Sequence, residues 1–291
     1  MYYPLAQQEF ESYLNGYDRE NDRIKLKIIH TYGVVKQAEE LAGRMHLSAE
    51  DTDLARLIAL LHDIGRFEQL KRYDSFEPGT MDHAAYGVKV LFDEGMIRRF
   101  LPDDKWDSII YTAIAHHSDY ELPEISDPQT LLHAKLIRDE DKLDNCRVKL
   151  VDSTSTFINV SEGELGTQNI TQKVYETVFE NKCILSADRV TQMDYWVSYI
   201  VYFFDINFKE SFDIIAENEE YLLFVEVKTR RAGSMVPGEL AVTPQKQQKL
   251  RLTAESYLLE YPTDRQPRFD VAALIIEGDK LLDFTYYKSA F

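Results

Sequence analysis

The apolar residues of this chain change their period once. Up to about residue 204 they recur at helical spacing, and after about residue 217 they alternate as in strands. No single-layer architecture accommodates both textures, so the order predicts a helical domain followed by a smaller strand-containing one. In SAEDTDLARLIALLHDIGRF, Ser48 and Asp51 form a helix start, and Leu54, Leu57, Ile58 and Leu61 fall on one face. Asp127 followed by Pro128 opens another helix over TLLHAKLIRDEDKLDNCRVKL, because proline tolerates the first turn, where its missing N–H is not needed. Further helices are expected over about 24–46, 82–95, 104–118, 171–181 and 187–204. Beyond them, EYLLFVEVKTR reads as a strand, Thr243 to Leu259 as a helix, and RFDVAALIIEGDKLLDFTYYKSAF as a strand, a Gly-Asp turn and a strand. The expected fold class is α + α/β, an all-α helical bundle over 1–212 and a small α/β domain over 213–291. No repeat or low-complexity spacer marks the join.

Charge and cysteine content narrow the function classes. Fifty acidic against 33 basic residues give a net charge of −17, which excludes a surface that tracks nucleic acid along its whole length. One stretch runs the other way, since Glu226 to Arg251 holds six bases and two acids. Cys146 and Cys183 are too few for a disulfide scaffold or a cysteine-based zinc site. The sequence MYYPLAQQEF lacks the basic and apolar regions of a signal peptide, and YWVSYIVYFF is too short to span a bilayer. A cytoplasmic protein with no membrane partner is expected.

Five of the seven histidines fall in an order that suits metal binding: His30, His62 with Asp63, His83, then His116 with His117, followed by Asp141. Imidazole and carboxylate suit borderline and hard divalent ions, and converging helices can present them around one or two metals. Side chains of the adjacent His62 and Asp63 diverge by about 100° on a continuous helix, close enough to reach one site. His46 and His133 lie outside the pattern and are read as structural.

This order resembles the HD superfamily of metal-dependent phosphohydrolases, whose signature is H…HD…D. The matching contexts are IIHTYGVV, ALLHDIGRF and RDEDKLDN, with DHAAYG and AIAHHSD matching the extended pattern of binuclear members. The resemblance implies that His30, His62, Asp63 and Asp141 hold a first metal and that Asp63, His83, His116 and His117 hold a second. One or two divalent ions, drawn from Mn, Fe, Mg, Co or Ni, are the implied cofactors. Such an ion polarises a phosphoryl oxygen and lowers the pKa of a bound water, with Asp63 and His62 at the reacting centre. Arg66, one helical turn from His62, is the first candidate to hold the ester, with Lys71, Arg72, Arg138, Lys142 and Arg147 behind it. Asp139 and Asp144 compete with Asp141 as the ligating carboxylate, and the DKLD context favours Asp141.

In the C-terminal part, Asp213, Glu226 and Lys228 give D-x12-E-x-K, the shape of a PD-(D/E)XK nuclease core. On a strand Glu226 and Lys228 share a face, where carboxylates and a lysine suit Mg²⁺ and an attacking water. LLFVEVKTRR, AVTPQKQQKLRLTAESYL and RFDVAAL resemble the YraN-like family of predicted endonucleases, related to Holliday junction resolvases. By that resemblance, nucleic acid is a partner only through Arg230, Arg231, Lys246, Lys249 and Arg251. The family's opening helix of GxxGExxAxxYL type is missing here, and Ser211 stands where its GEID strand places a glutamate. An incomplete restriction-endonuclease-like domain is therefore expected behind the helical one.

The expected activity is divalent-metal-dependent hydrolysis of a small phosphate ester, a nucleotide among the candidates, by a phosphomonoesterase or phosphodiesterase. A Mg-dependent DNA endonuclease acting through the C-terminal part is the first alternative, and a non-catalytic fusion or binding module the second.

Overall fold

The computed structural model describes residues 3–77, 79–180, 182–208, 211, 221–231, 247, 264–277 and 280–290. The chain divides into two compact units, Met1–Glu162 with Thr171–Ser211, and Gly163–Ile170 with Phe212–Phe291. Twelve α-helices are described: α1 (Tyr3–Leu14), α2 (Asp22–Arg44), α3 (Ala49–Leu61), α4 (Ile64–Tyr73), α5 (His83–Val88), α6 (Ile97–Phe100), α7 (Asp107–Ala115), α8 (Pro128–Val151), α9 (Thr154–Ile158), α10 (Glu162–Leu165), α11 (Gln172–Phe179) and α12 (Gln192–Ile200). Three strands follow, β1 (Tyr221–Arg231), β2 (Gln266–Glu277) and β3 (Lys280–Tyr287). No helix among the described residues is long and apolar enough to cross a membrane.

In the first unit, short polar side chains set the helix starts. Asn21 accepts from the backbone N–H groups of Arg23 and Ile24 at the head of α2, and Ser48 accepts from Asp51 at the head of α3. Asp127 accepts from Thr130 ahead of Pro128 in α8, and each of these bonds satisfies a donor that a helix terminus leaves orphaned. The expected apolar stripe of α3 is buried, with Leu54, Leu57, Ile58 and Leu61 at 0–1% exposure. Helix α2 packs against α3 and α8, and α7 packs against α8, so α8 runs beside the helices that carry the histidines.

Two expected helices are divided. The run through ALLHDIGRF breaks at His62 and Asp63, where α3 ends and α4 begins. Asp63 leaves helical geometry there (φ −108°, ψ 20°), and just beyond it a Cβ on Gly65 would lie 2.1 Å from the His83 carbonyl oxygen, so glycine is what lets α4 meet the start of α5. The expected helix over 187–204 begins only at α12, because Thr191 and Asp194 form a capping box there. Expected helix 82–95 is α5 continued by a π-helical turn, Lys89–Asp93.

Helix α8 also anchors the last residues of this unit. Asp139 accepts from the backbone N–H groups of Asn207 and Phe208 and from the Ser211 hydroxyl at 2.7–3.0 Å. Arg138 and Lys142 both donate to Asp205.

In the second unit, β1 pairs parallel with β2 from Tyr221↔Gln266 to Arg231↔Ile276. Strand β3 pairs antiparallel with β2, with a bulge between Ile275 and Ile276, giving the order β1-β2-β3. A parallel pair needs a crossover connection, and residues 232–265 supply the length for it. The expected helix over Thr243–Leu259 and the Gly278-Asp279 turn lie outside the described residues. The architecture is thus a helical bundle followed by a small, incomplete α/β part.

Candidate metal centre

The site is assembled by the ends and faces of six helices. His30 lies on α2, His62 and Asp63 at the α3–α4 break, His83 at the first position of α5, His117 just past α7, and Asp141 on α8. One ligand atom each from His30, His62, Asp63 and Asp141 lies within 4.8 Å of all the others, and the same holds for Asp63, His83 and His117. Asp63 belongs to both sets, and it divides its oxygens between them. Its Oδ2 is 3.2 Å from His62 Nε2 and 3.7 Å from His30 Nε2. Its Oδ1 is 3.3 Å from His83 Nε2 and 3.6 Å from His117 Nε2. Asp141 Oδ1 closes the first set, 3.0 Å from His30 Nε2 and 3.7 Å from His62 Nε2.

Tautomers are fixed from behind. Nδ1–H of His30 donates to Asp144 at 2.7 Å, that of His62 to the Ala59 carbonyl at 2.7 Å, and that of His117 to the Ile114 carbonyl at 2.7 Å. Each bond engages Nδ1 and turns Nε2 toward the cluster, the arrangement by which an outer partner orients an imidazole for ligation. Gly33, one turn after His30, permits the Asp144 contact: a Cβ there would sit 1.9 Å from Asp144 Oδ1.

The donor set fits a divalent cation. His30 Nε2, His62 Nε2 and Asp63 Oδ1 are buried without a hydrogen-bond partner, and a buried polar atom left so is costly unless something binds it. The local field favours positive charge as well. Burial pushes the His62 imidazole down, but Asp63 and Asp141 outweigh it and raise its pKa to about 10. Burial likewise opposes ionisation of Asp63, yet Lys27 and His62 hold its carboxyl well below the usual range. His83 is driven well below its ordinary value by burial, with Arg66 adding to the shift, so it presents a neutral ring.

His116 does not join its neighbour. Helix α7 ends at Ala115 with His116 as its C-cap, and the two rings take different partners, His117 the Ile114 carbonyl and His116 the Asp119 carboxylate. The His116 side chain is 34% exposed and turned to Asp119, with Nδ1 2.6 Å from Oδ2. Arg66 does reach the cluster, with Nε 3.6 Å from Asp63 Oδ1 and Nη1 donating to Gln69. Asp141 faces His30 and His62, whereas Asp144 stands behind His30 and Asp139 serves the 207–211 segment. Of the remaining basic candidates, Arg147 binds Asp144, Arg72 binds Glu68 and Lys71 reaches the Gly16 carbonyl. His46 takes a left-handed turn after α2, and His133 is buried beside Asp51.

Sequence reasoning missed Lys27. It lies one turn before His30 on the same face of α2, is buried, and donates to Asp63 Oδ2; the i, i+3 spacing to His30 was the available signal. The cluster opens on a cavity of about 610 Å³. Lys27, Arg66, His83, His117 and Asp141 line it together with Phe157, Arg189, Tyr195, Tyr199 and Tyr202. Arg189 lies over the Tyr195 ring at 4.5 Å, and its Nε is buried without a hydrogen-bond partner.

In the second unit, Glu226 and Lys228 occupy alternate positions of β1, in register with Val271 and Ala273 of β2. Asp213 lies outside the described residues, as do Lys246, Lys249 and Arg251 of the basic stretch.

Comparison with known proteins assigns the two parts to different classes. Residues 28–146, which hold every member of the cluster, match the HD domain, so the chain carries an HD domain. Residues 201–274 match uncharacterised protein family UPF0102, and through this C-terminal part the chain belongs to that family. A UPF0102 protein of Chlorobium phaeobacteroides is 37% identical over 89 residues, covering 28% of this chain and 70% of the relative. One from Syntrophotalea carbinolica is 46% identical over 69 residues (23% and 56%), and one from Dictyoglomus thermophilum 39% identical over 82 residues (27% and 69%). Across such relatives the chain spans from about half, 49%, to 70% of their length. A crystal structure of a predicted HD superfamily hydrolase from an uncultured Thermotogales bacterium aligns with 21% identity and a TM-score of 0.32, covering 69% of this chain and 88% of that one.

Proposed function

We propose that this chain is a divalent-metal-dependent phosphohydrolase acting on a small phosphate ester of nucleotide type, with its active site in the HD domain of a helical region spanning 1–212. The observation that carries the reading is the shared carboxylate: Asp63 offers one oxygen to each of two adjoining donor sets at the base of one cavity. Bound there, a divalent ion supplies charge that stabilises the phosphoryl oxygens and activates water for attack. Side chains of the protein do the rest. His30, His62 and Asp141 would hold an ion of the first set, and Asp63, shared by both sets, would orient the attacking water. Arg66 stands beside Asp63 Oδ1 with guanidinium donors suited to the substrate's phosphate, and Lys27 keeps Asp63 in place.

The nucleotide assignment rests on the cavity wall. Its volume of about 610 Å³ falls in the roughly 300–1,000 Å³ range of small-molecule sites. Phe157, Tyr195, Tyr199 and Tyr202 supply aromatic surface for a planar base, with Arg189 among them. Purified chain assayed with nucleoside monophosphates, p-nitrophenyl phosphate and bis-p-nitrophenyl phosphate tests both levels, the diester distinguishing phosphodiesterase from phosphomonoesterase. Asp63→Ala is expected to lose co-purifying metal and at least about 100-fold in rate, since it removes a ligand of both sets. Activity unchanged by that substitution would reject the site.

A second reading, DNA endonuclease action through the C-terminal part, is favoured by the UPF0102 match and by Glu226 and Lys228 on β1. Nicking of branched DNA that depends on both residues would promote it. Absence of both activities in metal-loaded chain would favour a non-catalytic role.

A further inference from the structure

We propose that the two donor sets load unequally: the His30, His62, Asp63 and Asp141 set holds one divalent ion on its own, whereas the Asp63, His83 and His117 set takes up a second ion only together with a phosphate group. This rests on the phosphohydrolase reading and says in what state the protein meets its substrate.

The asymmetry is in the donors. The first set has two carboxylates and two imidazoles, and both of its histidines are locked through Nδ1, His30 by Asp144 and His62 by the Ala59 carbonyl. The second set has three donors, and its one carboxylate is the shared Asp63. His116, the residue that would add a fourth, is held outward by Asp119.

Charge sharpens the difference. Arg66 Nε stands 3.6 Å from the same Asp63 Oδ1 that serves the second set, and Lys27 binds the other oxygen. Two dications beside two cationic side chains would face only Asp63 and Asp141 as anionic ligands, an excess of positive charge in a buried site where Coulomb terms are large. The three second-set donors are mutually 3.1–3.6 Å apart, so they occupy one face of an ion and leave the other to water or a ligand. A phosphate group meets both needs, contributing oxygens to the open face and negative charge between the cations. Linkage then requires the second ion to tighten phosphate by the factor that phosphate tightens the ion.

The test is a Mn²⁺ titration of the full-length, metal-stripped chain, read by EPR of free and bound manganese, with and without orthophosphate. One equivalent should bind tightly without phosphate. The second should bind at least about ten-fold more weakly and gain about ten-fold or more when phosphate is present, within the usual span of site coupling. The spin-coupled signal of paired manganese should appear only with phosphate. His83→Ala should keep the first equivalent and lose the phosphate-dependent second; His83→Gln serves if the alanine variant does not fold. Two equivalents of equal affinity without phosphate, or a second equivalent indifferent to phosphate, would overturn the proposal. Neither outcome depends on turnover, so a failure here is distinguishable from a failure of the ester panel.

Discussion

At the scale of single residues, the role of a carboxylate is set by what faces it. Asp139, Asp141 and Asp144 lie within two turns of α8, yet one holds a backbone segment, one faces the donor cluster and one stands behind His30. Asp144→Asn keeps the shape but removes the charge behind His30, and outer partners of this kind are worth about 10–100-fold in metal affinity. A metal titration of that variant should show weakening in this range with a full equivalent still bound; unchanged affinity would remove Asp144 from the site. Far from the cluster, His133 is pushed down by burial, with Asp51 beside it offsetting part of the shift. Its folded pKa therefore lies below its unfolded value of about 6.5. Between the two values the unfolded chain binds the extra proton, so the stability contribution is complete above about pH 6.5 and is lost as pH falls. At saturating metal, Tm should decline more steeply for the wild type than for His133→Gln as pH is lowered through about 6. Parallel curves would contradict this.

At the scale of elements, the ordered histidines and aspartates were legible because ligand chemistry restricts which residue types can serve, whatever the helices do around them. His30, His62, Asp63, His83, His117 and Asp141 all reach the cluster. What the sequence did not show depends on contacts between elements. The α3–α4 break cannot be read from the apolar period of ALLHDIGRF, which continues through it, and neither can the close packing of Gly65 on the backbone of His83 just beyond it. The choice between His116 and His117 depends on where α7 ends, and Lys27 is an ordinary helical lysine until the fold brings Asp63 to it. Gly65→Ala tests the element-level account. The methyl group meets backbone atoms that cannot swing aside, so about 1–3 kcal/mol of stability should be lost. Thermal unfolding measures this, and an unchanged Tm would mean that α4 and α5 can separate freely.

At the scale of the whole molecule, the acidity and the metal centre are parts of one argument. In a chain of net charge −17, Asp63 and Asp141 are the carboxylates that face the donor cluster, and the HD match covers both. The UPF0102 match covers a separate stretch in which a parallel β1–β2 pair carries Glu226 and Lys228. The HD match ends at residue 146 and the UPF0102 match begins at 201, so the second family's match starts within the helical part and runs on into the strands.

The central claim is that the first donor set is a metal site. Anomalous diffraction from crystals of the full chain grown with Mn²⁺ tests it most directly. The account predicts a strong peak bounded by His30, His62, Asp63 and Asp141. A peak at His116 and Asp119 instead, or none beside Asp63, would contradict it.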